Sequence, residues 1–118
     1  MNVGVAILST DRPECLYRLI DSIAKNGVRP PEVFVVDDSS NFKPIEEMCD
    51  HSWLHYCYTG NRIGVARNTN AALTLLHAFP YKLILNNDVE VLRPGWENIY
   101  PGAMNRGIHC FSFRQLGL

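Results

Sequence analysis

Three absences narrow this sequence before any motif is considered. It has no run of lysine or arginine, and 11 basic residues stand against 12 acidic ones for a formal net charge of −1. The electrostatic footprint of a nucleic-acid binder or a polybasic membrane-surface protein is therefore missing, and any phosphate recognition must be local. No apolar stretch is longer than a strand, and no basic segment precedes the first apolar run. Neither a transmembrane helix nor a signal peptide is expected, and the chain reads as cytoplasmic. Four cysteines, Cys15, Cys49, Cys57 and Cys110, form no CxxC pair, and a reducing compartment favours free thiols over bridges. With 8 glycines and 7 prolines there is no collagen-like or low-complexity signal. The remaining composition, 47% hydrophobic over 118 residues, suits one domain spanning 1–118. Such a domain buries roughly 65% of its unfolded surface and needs no metal or disulfide to fold.

The apolar pattern predicts strands alternating with helices. Residues 2–8, NVGVAIL, form a nearly continuous apolar run that ends at Ser9, Thr10 and Asp11, as a strand buried on both faces does. Leu16, Leu19, Ile20 and Ile23 then recur at helical spacing between Pro13 and Lys25, with Asp11 and Glu14 spaced as a capping box. Val33–Val36 is a second strand ending in Asp37, Asp38, Ser39 and Ser40. A short helix over residues 44–50 and a strand over Trp53–Tyr58 lead into a glycine-flanked loop, Gly60–Gly64. A helix carrying Ala66, Ala72, Leu73 and Leu76 runs from Val65 to Phe79 before Pro80. A fourth strand, residues 81–85, enters Asn86-Asn87-Asp88-Val89-Glu90, and Ile108–Phe113 forms a fifth. This order predicts an α/β fold, a doubly wound, mostly parallel sheet with helices on both faces.

In such sheets ligands bind beyond the carboxyl ends of the strands, and three of these strands end in oxygen-bearing residues. Continued extension past Leu85 would aim Asn86, Asp88 and Glu90 at one face. Three oxygen ligands without thiolate suit a hard ion, Mg2+ or Mn2+. Asp37 and Asp38 point in different directions, so at most one need face a ligand, where it would accept from a sugar hydroxyl or a base N–H. Gly60 and Gly64 permit close backbone approach at a helix start, which favours an anion, and Arg67 lies one turn on. Cys49, His51, His55 and Cys57 carry zinc-type ligand chemistry. However, His55 and Cys57 share one face of a strand and closing a tetrahedron within nine residues needs a sharp local fold, so we read them as packing residues.

Together these segments resemble the inverting family 2 glycosyltransferases of the GT-A fold, the nucleotide-diphospho-sugar transferases. The resemblance runs from Val3 to about Trp96. It is carried by VAILSTDRPECLYRLIDSI, by EVFVVDDSS as the "VDDGS" element, by GNRIGVARNTNAAL as the "N-x-G-x-A-x-A-R-N" element, and by LILNNDVEVLRPGW as the D-x-D region. It implies a truncated, Rossmann-like GT-A domain that binds a nucleotide-diphospho-sugar donor. Thr10, Asp11, Asp37, Asp38, Gly60, Asn61, Gly64, Arg67 and Asn87 would line the donor site, with Thr10 and Asp38 at the base and ribose. Asp88, with Asn86 and Glu90, would hold Mn2+ or Mg2+ at the diphosphate. Asn86 stands at the first D-x-D position, one formal charge short, with an amide oxygen still able to bind.

In that family a further ~100 residues supply the acceptor-binding half and the carboxylate that deprotonates the attacking hydroxyl. Glu97 is the one acidic residue after Glu90 and is not nominated for that role, so the catalytic residue is unassigned. The implied activity is sugar transfer with inversion to an acceptor hydroxyl on a saccharide, a lipid-linked molecule or a protein. Two readings compete: a non-catalytic binding or structural module derived from a shortened transferase, and a receiver-like phosphoacceptor domain. The latter requires its acidic pair after the first strand, where this chain has Ser9-Thr10-Asp11. Trp96, Ile99, Tyr100, Phe111, Phe113 and Leu116 are expected to need cover, by self-association or a partner chain.

Overall fold

A computed structural model describes residues 3–26, 31–40 and 51–96. Its elements are β1 (Val3–Ser9), α1 (Pro13–Asn26), β2 (Glu32–Asp37), β3 (Leu54–Tyr58), α2 (Val65–Leu75) and β4 (Tyr81–Asn86). The four strands form one parallel sheet in the order β3-β2-β1-β4. The expected helix over 44–50 and strand over 108–113 lie outside the described residues, as do Ile99, Tyr100, Phe111, Phe113 and Leu116. No helix among the described residues is long and apolar enough to cross a membrane.

β1 is central and buried along nearly its whole length, which its unbroken apolar run requires. Its odd-numbered residues Val3, Val5 and Ile7 pack with Leu16, Leu19, Ile20 and Ile23 of α1 and with Val33 and Val35 of β2. Its opposite face presents Ala6, which packs with Val36, with Ala72 of α2 and with Leu76 at the C-cap of that helix. One helix therefore covers each face. The chain winds outward from β1 through β2 to β3 and then returns to the far side of β1 as β4. Right-handed crossovers taken in opposite directions place their helices on opposite faces.

Local chemistry adjusts three boundaries. α1 opens with Pro13 at its first position, where a missing N–H costs nothing, and Leu16 N–H bonds the Arg12 carbonyl at 3.2 Å. Asp11 therefore lies one residue outside the helix, with φ 52°. Its carboxylate receives Ser40 N–H at 2.9 Å, so the expected capping box with Glu14 does not form. α2 stops at Leu75 instead of Phe79. Its end tightens as His77 N–H bonds Thr74 O at 3.3 Å, and a residue preceding proline avoids the helical region. The buried stripe of α2 is Asn68 and Ala72, continued by Leu76 at its C-cap, while Ala66 and Leu73 are exposed.

The third adjustment moves a candidate ligand. β4 ends at Asn86, and Asn87-Asp88 turn, so the extended run needed to align Asn86, Asp88 and Glu90 does not exist. Beyond the turn, Ser22 Oγ accepts Val91 N–H at 2.9 Å and Asn26 Nδ2 donates to the Val91 carbonyl at 3.0 Å. These bonds strap the chain across α1. Glu90 consequently lines a groove with Arg18, Asp21 and Lys25, on the α1 side. Trp96 is 9% exposed and packs in the α1-side core, so it presents no surface for a partner.

Candidate functional site at the carboxyl ends of the strands

Strand order reverses between β1 and β4, and the crevice beyond such a switch point is where open α/β sheets bind ligands. On its β1 side, Thr10 Oγ1 donates to Asp38 Oδ1, and Asp38 N–H bonds the Ser9 carbonyl at 3.1 Å. On its β4 side, Asn87 turns inward and donates from Nδ2 to Ser9 Oγ at 3.3 Å. Asn86 and Asp88 are exposed at the same edge. Parallel register explains the gathering, since Leu8 pairs with Asn86 and Ser9 with Asp37, placing the polar tips side by side.

The two adjacent carboxylates diverge as strand alternation requires. Asp37 faces the α1 side and is 6% exposed. It accepts Ser39 N–H at 2.9 Å, the Ser39 hydroxyl and the Tyr56 hydroxyl, so its lone pairs serve the fold. Burial, followed by the hydrogen bond to Asp37, pushes the Tyr56 hydroxyl well above the usual tyrosine range and keeps it a donor. Asp38 faces the α2 side and is 2% exposed. Its Oδ2 accepts Ile63 N–H at 3.2 Å and Gly64 N–H at 3.1 Å. The helix-start amides that a phosphate could use are thus held by the protein's own carboxylate. Asp38 also caps α2, because Gly64 at its N-cap provides no side-chain bond.

Burial is the largest influence on Asp38 and pushes its carboxyl up. Hydrogen bonds from Thr10, Gly64 and Ile63, with the Arg62 charge nearby, outweigh it and hold the group below its ordinary 3.8. A folded-state value below the unfolded one stabilises above the unfolded value and is lost as pH falls through the folded one. Urea midpoints of the wild type should therefore drop below about pH 4, more steeply than those of Asp38→Asn. Parallel profiles for the two proteins would contradict this assignment.

Asp11 is exposed and clasps the tip of β2. Its N–H donates to Ser39 Oγ at 2.8 Å, its carboxylate accepts from Ser40, and Arg62 lies 3.9 Å away. Gly60 and Gly64 adopt φ 86° and 85°, a left-handed conformation that explains glycine at both positions. Asn61 is exposed and accepts from Thr59 Oγ1 at 2.6 Å through its carbonyl, and Arg67 is exposed on α2. Thr10, Asp11, Asp37, Asp38, Gly64 and Asn87 thus join through direct or one-residue links, whereas Glu90 stands apart.

Ser39, Tyr56 and Asn68 carry roles the motifs do not announce. A hydroxyl following the acidic pair signals Ser39. The pairing of Val35 with Tyr56, which brings Tyr56 to Asp37, has no local signal. His55 stacks on Phe34 at 4.8 Å and meets Glu32 at 2.5 Å, while His51 stacks on Trp53 at 4.7 Å. Both histidines thus have packing roles, and Cys49 lies outside the described residues. Burial pushes the Cys57 thiol up, which makes it a poor nucleophile.

No protein-family model and no curated protein matches this chain.

Proposed function

We propose that this chain binds a nucleotide-diphospho-sugar in the crevice between β1 and β4, as the donor half of a family 2 glycosyltransferase of GT-A type. The observation that carries the reading is the bond between Thr10 and Asp38 at the switch point, beside the polar tip of β4. Two residues far apart in sequence, both assigned by the resemblance to the base and ribose, touch each other at the carboxyl edge of the sheet. Both cysteines described, Cys15 and Cys57, are free thiols, which suits a cytoplasmic setting.

The donor set proposed for a hard divalent ion is smaller than the resemblance implies. Mg2+ commonly takes one or two carboxylates and completes its shell with water and substrate phosphates. Asp88 supplies one carboxylate and Asn86 an amide oxygen at the exposed end of β4. Glu90, strapped against α1, is not part of the set. When bound, Mg2+ or Mn2+ supplies neutralisation of the departing diphosphate. The protein's own contribution is to orient the nucleotide through Thr10 and Asp38.

Calorimetric titration with uridine, guanosine, adenosine and thymidine diphosphates, with and without Mg2+ or Mn2+, tests the reading. One nucleotide should bind, and Asp88→Asn should weaken it about tenfold, the scale of one lost charge contact. Unchanged affinity in Asp88→Asn removes Asp88 from the metal role. A second reading, a module that binds or only supports structure, is favoured by the internal hydrogen bonding of Asp37 and Asp38. A transfer assay separates them: a binding module retains donor affinity and releases no diphosphate.

A further inference from the structure

We infer that the Gly60–Gly64 loop is a latch that occupies Asp38 in the free chain and must swing aside when a nucleotide enters. The inference rests on the donor-site reading above and adds how that site is controlled. Asp38 is 2% exposed, and the loop takes up its outer oxygen through the Ile63 and Gly64 amides. A base or ribose cannot reach that oxygen until those amides leave.

The loop is built to leave. Gly60 and Gly64 bracket it with φ 86° and 85°, and glycine has the widest backbone freedom of any residue, so both ends can serve as pivots. Gly60, Asn61, Arg62 and Gly64 are exposed. At its Gly60 end the loop is anchored through Thr59, whose N–H bonds the Asp37 carbonyl at 2.9 Å and whose hydroxyl donates to the Asn61 carbonyl at 2.6 Å. Further along, Arg62 and Asp11 at 3.9 Å join side chains 67% and 43% exposed, and such surface pairs hold weakly. At the Ile63–Gly64 end, the part that covers Asp38, the two amide bonds are therefore the principal catch.

In the latched form the start of α2 relies on Asp38 for its cap. Gly64 brings no cap of its own. One turn on, Asn68 is 3% exposed with its Oδ1 unpartnered and its Nδ2 3.4 Å from the Val36 carbonyl. A buried amide oxygen without a donor is costly, so this end of the helix resists displacement less than a fully bonded one. Where only the open fraction binds, apparent affinity falls by that fraction. The latch thus lowers donor affinity without touching the donor.

Amide hydrogen exchange resolved by NMR tests the latch. Saturating the wild type with whichever of the four nucleoside diphosphates binds, in the presence of Mg2+, should speed exchange at Ile63 and Gly64 about tenfold, while Val5 and Ile7 in β1 stay protected. Unchanged or greater protection at Ile63 and Gly64 in the bound state overturns the inference. In the ligand-free chain, Asp38→Asn should speed the same two amides, and equal rates in variant and wild type would likewise overturn it. If none of the four binds, the flat titration shows that the donor-site reading has failed, and the latch falls with it as a donor gate.

Discussion

Asp38→Ala is expected to destabilise the fold by about 2–4 kcal/mol. The carboxylate receives the Thr10 hydroxyl and two backbone amides, and hydrogen bonds to a charged group contribute roughly 1.5–3 kcal/mol each. Because the Ile63 and Gly64 amides belong to a largely exposed loop, they regain water when the carboxylate is removed, and the sum is correspondingly reduced. What water does not restore is the cap: α2 begins at Gly64 without a side-chain acceptor, and losing a cap costs about 1 kcal/mol. Asp38→Asn, which keeps one oxygen acceptor, should lose less. Equilibrium urea denaturation measures both. A loss under ~1 kcal/mol in Asp38→Ala would mean that neither Thr10 nor the loop depends on this carboxylate for its position.

The second large effect sits at the opposite end of the central strand. A Cβ at Gly4 would stand 2.6 and 2.7 Å from Cγ and Cδ2 of Phe79 and 2.8 Å from Cδ2 of Leu76. Those are not idle side-chain ends. Leu76 is fully buried, and Phe79 packs edge-on against Phe34 at 6.1 Å. The C-terminal end of α2 must move off the sheet to admit one methyl group, and such overpacking costs about 1–3 kcal/mol. Alanine regains about 0.5–1 kcal/mol by restricting the unfolded chain. The net expectation for Gly4→Ala is a loss of about 1–2 kcal/mol, or ~3–12 °C in Tm for a domain of this size. Phe79→Leu should relieve part of it, so the double variant should be less destabilised than the sum of the two single ones. A Gly4→Ala protein as stable as the wild type would show that α2 is not seated this closely on β1.

Much of the architecture was legible because burial imposes periodicity. The run at 2–8 reads as a strand covered on both sides and becomes the central strand. The spacing of Leu16, Leu19, Ile20 and Ile23 reads as one helix face, and that face is buried. Likewise, the polar residues that end the first, second and fourth apolar runs mark the edge where Thr10, Asp38 and Asn87 come together. The errors fall where a local pattern was extended past its cause. Asp11 and Glu14 have capping-box spacing, but Pro13 shifts the helix start and Ser40 takes the Asp11 carboxylate. Asn86, Asp88 and Glu90 would align on an extended strand, but β4 ends at Asn86 and Ser22 with Asn26 draws the following segment onto α1.

By itself the sequence determined the alternation of strand and helix, the two-sided burial of β1 and the clustering of oxygen-bearing residues at strand ends, since each follows from local hydrophobic period and turn chemistry. Only the tertiary structure decided what those residues do. Whether Asp37 answers to Tyr56, Asp38 to a loop more than twenty residues away, or Glu90 to the far side of α1 depends on strand order and register. Those are set by packing two helices on opposite faces of one sheet, and no short window of sequence contains that information.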